Sequence, residues 1–315
     1  MTLTYTELLN ETIDIYLTGN YRKAYEFITK NSNGVNGNLA QIYNFRYAIA
    51  SKAGEKNLAL TLMEESIVDH GFWYAVEYLK SDEDLDSLRK ENKFDFLLSI
   101  CEEREKEAQK ACEGKMELLT TEDLIGKDKN QLIIALHGNQ ESNDISKYYW
   151  KDALNSERII ALIQSSEIEF SNAYNWNDLN KGKKVIEIFQ NKIKEEIKFN
   201  EGEVILAGFS AGGRQVLHHI LFTEAKVKGL ILIAPWLPEL DAWKTQLSVL
   251  KNKETKVYII CGHQDEDSFD DSKKLSQYLS KKQIEYEFLV IENLSHDYPN
   301  DFLNVIEKAI QYINA

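Results

Sequence analysis

A serine hydroxyl is a weak nucleophile until a base takes its proton, so a chain that uses one must also supply an imidazole and a carboxylate. The 315-residue sequence offers such a set. In ILAGFSAGGRQVL (205–217) an apolar run stops at Gly208-Phe209-Ser210-Ala211-Gly212 and a helix-like run follows. In a G-x-S-x-G turn from strand to helix the serine stands at the tip, and the glycines on either side clear space for the sharp bend. Ser210 is the expected nucleophile, and the Ala211 N–H, at the start of the helix, is an expected donor to a developing oxyanion.

The base and the acid should lie farther on, behind later strands. His296 in ENLSHDYP (292–299) follows the last apolar run and precedes the terminal helix, as the chain order serine, acid, histidine requires. The acid should follow the preceding strand, where IICGHQDEDSFDD (259–271) offers five carboxylates. Asp265 is nearest the strand end and is the first choice, with Asp267 second; Asp270 and Asp271 are expected to open the next helix. The remaining oxyanion donor is expected from IALHGNQES (134–142), where Asn139 N–H follows His137-Gly138, with Gln140 N–H as the alternative. Trp176 and Trp236 both follow strands on the same side and are expected to line the substrate pocket. The loop from Ser171 to Gly182 is expected to act as a partial lid.

These residues need a scaffold that gathers strand ends. From about residue 115 the chain alternates short apolar runs (QLIIALHG, RIIALIQSS, EVILAGFS, VKGLILIAP, KVYIICGHQD, YEFLVIEN) with amphipathic stretches near 144–156, 182–198, 212–224, 270–281 and 300–313. Runs that are apolar on both alternating faces predict strands covered above and below by helices. The expected fold class is α/β, a doubly wound and mostly parallel sheet, preceded by a smaller all-α helical-repeat domain. The predicted boundaries are 1–114 for the helical domain and 115–315 for the catalytic one, with the charged stretch 101–115 leading into the linker.

On the elbow serine, the acid, the base and the HG loop, residues 115–315 resemble the α/β-hydrolase family, most closely its dienelactone-hydrolase-like and small carboxylesterase-like members. The resemblance implies a Ser210-His296-Asp265 triad and an oxyanion loop at Gly138-Asn139. It departs at Ser295, where many relatives have glycine before the histidine. Within residues 1–114, Gly19 aligns with Gly54 and Ala24 with Ala59, 35 positions apart, which is similar to the tetratricopeptide period of about 34.

Composition narrows the partners. There are 51 acidic and 37 basic residues, for a formal charge of -14, which disfavours nucleic acid. No run reaches the roughly 20 apolar residues of a membrane span, and a cytoplasmic protein without membrane contact is expected. Three cysteines without C-x-x-C spacing suggest neither a disulfide framework nor zinc, and no cofactor is expected. His218 and His219 point about 100 degrees apart on one helix, cannot both face one metal, and so read as surface or packing residues. The expected activity is a serine hydrolase acting on a small carboxylic ester or related acyl compound. A serine peptidase of acyl-peptide or aminopeptidase type would use the same triad, and an inert hydrolase fold could serve as a peptide-docking adaptor. The helical region is expected to pack on the catalytic domain, to dimerise or to bind a protein partner.

Overall fold

The computed structural model describes all residues except 1–2, 122–123, 125–126 and 128. The chain forms two compact units, one of residues 1–112 with 168–173, the other of 113–167 with 174–315.

The first unit is helical: α1 (Tyr5–Leu17), α2 (Tyr21–Asn31), α3 (Leu39–Lys52), α4 (Lys56–Glu64), α5 (Val76–Ser81) and α6 (Asn92–Ala111). Gly19 and Gly54 occupy the turns between α1 and α2 and between α3 and α4, with φ of 79° and 84°, where a side chain would be strained. Ala24 and Ala59 are both fully buried. The aligned positions thus fall on two successive helical hairpins. Tyr47, Tyr74, Met63, Leu97 and Phe94 fill the core of this unit, joined by Phe170 and Ala173 of the 168–173 segment. Ser171 is part of that join, because its hydroxyl accepts the Trp73 N–H at 2.8 Å and its carbonyl accepts from Asn38 Nδ2 at 3.0 Å.

The second unit carries nearly all of a strand set: β1 (Lys115–Leu119), β2 (Gln131–Leu136), β3 (Arg158–Gln164), a small ribbon of β4 (Glu167–Phe170) and β5 (Ala173–Asn175), β6 (Val204–Phe209), β7 (Gly229–Ile233), β8 (Lys256–Gly262) and β9 (Tyr286–Ile291). Seven strands form one sheet in the order β1-β3-β2-β6-β7-β8-β9. Only β1 runs antiparallel to its neighbour. The six expected apolar runs are β2, β3 and β6 to β9; β1 and the ribbon are additions, since KMELL and EIEF lack the long apolar character of buried strands.

The helices are α7 (Asn143–Trp150), α8 (Leu179–Glu196), α9 (Ala211–Leu221), α10 (Leu240–Trp243), α11 (Ser248–Asn252), α12 (Phe269–Lys281) and α13 (Phe302–Asn314). Alternation along the strands explains the continuous apolar runs. Leu132, Ile134, Leu206, Leu230 and Ile259 face one core with α8, α9 and α12, while Ile133, Ile205, Ile231 and Ile260 face the other with α13. In α13 the buried residues Phe302, Val305, Ile306, Ala309, Ile310 and Ile313 recur at spacings of three and one, which is one helix face. A parallel sheet with helices on both faces presents its strand carboxyl ends as one rim. Ser210, His137 and Gly262 to Asp265 all lie on that rim.

Candidate active site

The site begins with backbone geometry. Ser210 has φ 51° and ψ −118°, a conformation that costs a non-glycine residue on the order of 1–3 kcal/mol and is held only when its surroundings impose it. Its N–H donates to Ile233 O at 2.9 Å, and its carbonyl accepts from Arg214 N at 3.1 Å and Trp236 N at 3.3 Å. A Cβ on Gly208 would stand 2.3 Å from Gly212 C, and one on Gly212 would stand 2.4 Å from His137 O. The two glycines of the motif therefore let β6, α9 and the end of β2 meet at van der Waals limits. Flexibility is not their role.

The structure brings Ser210, His296 and Asp265 together. Ser210 Oγ lies 2.9 Å from His296 Nε2, and His296 Nδ1 lies 3.0 Å from Asp265 Oδ2. Asp265 is 1% exposed, and its Oδ1 accepts the N–H groups of Asp267 at 3.0 Å and Ser268 at 2.9 Å. The Cys261 thiol, pushed up to about 12 by burial and by Asp265, remains protonated and lies 3.6 Å from Oδ2. Every neighbour of this carboxylate is a donor, so Nδ1 of His296 carries the proton and Nε2 faces the serine as acceptor. Asp267 is exposed and does not bond the ring. For His296, burial alone would lower its pKa; the bond to Asp265 and that residue's charge, with Asp267 and Glu141 behind them, outweigh burial and raise it.

The HG loop is gripped peptide by peptide. The peptide joining His137 to Gly138 has its carbonyl bonded by Trp176 Nε1 at 2.9 Å and its N–H bonded by Glu141 Oε2 at 2.8 Å. Ser165 N–H donates to His137 Nε2 at 3.1 Å, so Nδ1 is the protonated nitrogen and donates to Gly138 O at 2.6 Å. Burial holds the His137 pKa down to about 4, which keeps the ring neutral. Gln140 N–H is committed to Asn175 Oδ1 at 2.9 Å. Among the described residues, Asn139 N–H is left without a partner, while its side chain accepts Trp176 N–H at 2.9 Å. Of the two donors weighed from sequence, Asn139 is the one whose N–H is not already used.

Trp176 requires a correction. It is fully buried, inside the core, and touches the ring of His137, so it braces the loop and presents no surface to a substrate. Position after a strand could not reveal this, because only packing decides which way the indole turns. The segment 171–182 is likewise built in: Ser171 and Ala173 belong to the helical unit, and Asp178 caps α8 by accepting from Asn180 N and Lys181 N. Trp236 is 37% exposed, its N–H donates to Ser210 O at 3.3 Å and the Arg214 guanidinium stands 5.1 Å from its ring, and it remains available as a pocket wall.

Two residues were not singled out from sequence. Arg214, one helical turn past Ser210, is 6% exposed; it pairs with both oxygens of Glu239, with Nε at 2.8 Å from Oε2, and donates to Trp176 O at 3.2 Å. Glu141 is the second, and its capacity to reach back to Gly138 was the one available signal. His263 bonds Glu292 at 2.9 Å and His70 bonds Tyr43 at 3.1 Å, contacts that sequence had not indicated. One trio with metal-ligand spacing occurs among the described residues, Asp265, Asp267 and His296, with ligand atoms within 4.8 Å. Both nitrogens of its imidazole are already engaged, one by Asp265 and one by Ser210.

A parallel sheet with one antiparallel edge, helices on both faces and a strained serine between β6 and α9 is the α/β-hydrolase arrangement. Residues 4–109 match the family described as A/B hydrolase-like, N-terminal domain, and residues 170–314 match Phospholipase/Carboxylesterase. A solved structure of an uncharacterized protein from Bacillus cereus ATCC 10987 is 43% identical, covering 99% of this chain and 100% of that one, with a TM-score of 0.57. The crystal structure of esterase PE8 is 17% identical over 64% of this chain and 99% of its own, with a TM-score of 0.52, a likeness of fold. No curated protein matches the chain. The chain belongs to the α/β-hydrolase family, and its helical unit carries the description of that family's N-terminal domain in place of the tetratricopeptide one. No helix among the described residues is long and apolar enough to cross a membrane.

Proposed function

We propose that the protein is a serine hydrolase of the carboxylic-ester class, acting through an acyl-enzyme with Ser210, His296 and Asp265 as its triad. The observation that carries this reading is the continuous contact from Ser210 Oγ through His296 to Asp265, at 2.9 and 3.0 Å, on a serine held at φ 51°. The match of residues 170–314 to Phospholipase/Carboxylesterase supports the ester class.

In this reading Ser210 Oγ attacks the carbonyl carbon of the ester as its proton passes to His296 Nε2. Asp265 keeps Nδ1–H in place and stabilises the imidazolium. The carbonyl oxygen becomes an oxyanion between the N–H groups of Asn139 and Ala211, two donors fixed before the charge develops. Collapse expels the alkoxide, which takes the proton from Nε2 and leaves as the alcohol. Water then repeats the sequence on the acyl-serine, releasing the acid and restoring Ser210. The substrate is a small acyl compound, with Trp236 as a wall of its pocket, and the buried thiols of Cys101 and Cys261 are in keeping with a cytoplasmic setting.

A panel of nitrophenyl esters and aminoacyl anilides tests the class. Ester turnover that falls by about 10⁶ in Ser210→Ala agrees with the proposal. Turnover of anilides alone would reassign the protein as a peptidase, and turnover of neither substrate would favour an inert adaptor.

A further inference from the structure

Three consecutive peptides follow β2, and each has a polar group tied down by a different side chain. His137 bonds the carbonyl of Gly138, Asn175 bonds the N–H of Gln140, and Glu141 bonds the N–H of Gly138. Glu141 is the only one of the three that brings a carboxyl group, and burying one is expensive unless it does something. It is 8% exposed, and Tyr298 O–H approaches the same Oε2 at 3.4 Å. Its own carbonyl accepts Tyr174 N–H at 3.0 Å, so the residue is anchored at its backbone while its side chain reaches back.

We propose that Glu141 is a positioning residue for the oxyanion loop: it holds the Gly138 N–H so that the next N–H, that of Asn139, faces Ser210. This rests on the serine-hydrolase reading above. The peptide plane on one side of Gly138 is fixed by Glu141 and Trp176, and the plane on the other side by His137. With Glu141 removed, the first plane keeps only its carbonyl bond and can rotate, carrying the Asn139 N–H off line. In this role Glu141 acts through the loop and not on the reacting atoms, so its effect should appear when the oxyanion forms and not when substrate binds.

The residue also has an electrostatic consequence. Burial pushes its pKa up to about 7; the Gly138 N–H opposes that rise, Asp297 adds to it, and His296 and Tyr298 counter it. Its negative charge in turn raises the pKa of His296. Replacing Glu141 by a neutral residue must therefore lower the His296 pKa and move the acid limb of the kcat/KM profile to lower pH.

The test compares Glu141→Gln, which keeps an acceptor of the same shape, with Glu141→Leu, which keeps none, after wild type has been titrated with a fluorophosphonate. We expect Glu141→Leu to lose about tenfold to a hundredfold in kcat with KM little changed, up to the loss typical of one oxyanion donor. Glu141→Gln should recover most of that rate and show the acid limb shifted to lower pH. Full kcat in Glu141→Leu, or a loss in Glu141→Gln as deep as in Glu141→Leu with the acid limb unmoved, overturns the role of Glu141 while wild-type labelling leaves the serine reading standing. Failure of wild type to label overturns both.

Discussion

Gly262, the last residue of β8, and Leu294, in the loop that carries His296, are pressed together so closely that a Cβ on the glycine would stand 2.0 Å from the Leu294 carbonyl oxygen. Across this contact His263 N–H donates to Ile291 O and Gln264 N–H donates to Leu294 O, at 2.9 and 3.0 Å. The turn that delivers Asp265 is thereby pinned to the turn that delivers His296.

Gly262→Ala tests that pinning. The intruding methyl meets backbone and not a flexible side chain, so one loop must shift. Overpacking of this kind costs about 1–3 kcal/mol. Urea unfolding should show that loss, and kcat should fall by more than tenfold because the 3.0 Å bond between His296 and Asp265 lengthens. An active, undiminished variant would mean that the two turns are positioned independently.

The acid can be assigned by two substitutions. Asp265→Asn keeps the shape but reverses the hydrogen-bond demand on Nδ1, and should cost about 10⁴ in kcat. Asp267→Asn removes only an exposed charge near the ring, which should leave kcat within a few-fold and move the acid limb slightly to lower pH, since Asp267 helps to raise His296. A larger loss at Asp267 than at Asp265 would reverse the assignment.

His219 should make the fold sensitive to acid. It is fully buried, neither ring nitrogen has a hydrogen-bond partner among the described residues, and burial holds its pKa down to about 4. The unfolded chain, with an ordinary imidazole near 6.5, binds the proton first, so stability falls as pH drops from about 6.5 towards 4. Between pH 7 and pH 5 that amounts to on the order of 2 kcal/mol for this residue, with His137 adding a similar part. Glu141, whose pKa is raised, acts in the opposite sense, so the informative quantity is the difference from wild type. His219→Leu should be no less stable at pH 7 and should lose less on acidification; thermal melts at the two pH values measure both, and an unchanged acid loss would contradict this account.

Arg214 and Glu239 form a one-sided buried pair, with the arginine side chain 8% exposed and the glutamate 34%. Glu239→Ala strands the guanidinium, and about 3 kcal/mol of stability should be lost, the lower end of the range for breaking a buried pair, because the glutamate side is open to water. Chemical denaturation reads the loss directly. A change below about 1 kcal/mol would show that Trp176 O and the Trp236 ring suffice to hold Arg214.

Ser210, Asp265 and His296 were legible in the chain because each is announced locally, by a glycine-framed turn or by a polar loop directly behind an apolar run. The parallel sheet was legible for the same reason: strands buried on both faces have no polar alternation to blur them. Glu141, Arg214 and the true place of Trp176 were not. Arg214 is defined by a partner distant in the chain, Glu239, and nothing in its own neighbourhood marks it, while the one local sign of Glu141 is its reach back to Gly138. Strand β1 and the ribbon strands β4 and β5 escaped because they are short and lack a continuous apolar run. For the lid expected at 171–182 the reason is packing: Ala173 is a core residue of the helical unit and Trp176 of the second unit, and loop-like spacing carries no record of which core a side chain enters.

The central claim is that Ser210 becomes acylated, and intact-protein mass spectrometry after treatment with a fluorophosphonate tests it most directly. The account predicts one adduct per chain, mapped to the peptide containing Ser210, fast at neutral pH, absent in Ser210→Ala and strongly slowed in His296→Ala. No adduct on the wild-type protein, or an adduct that persists in Ser210→Ala, would contradict it.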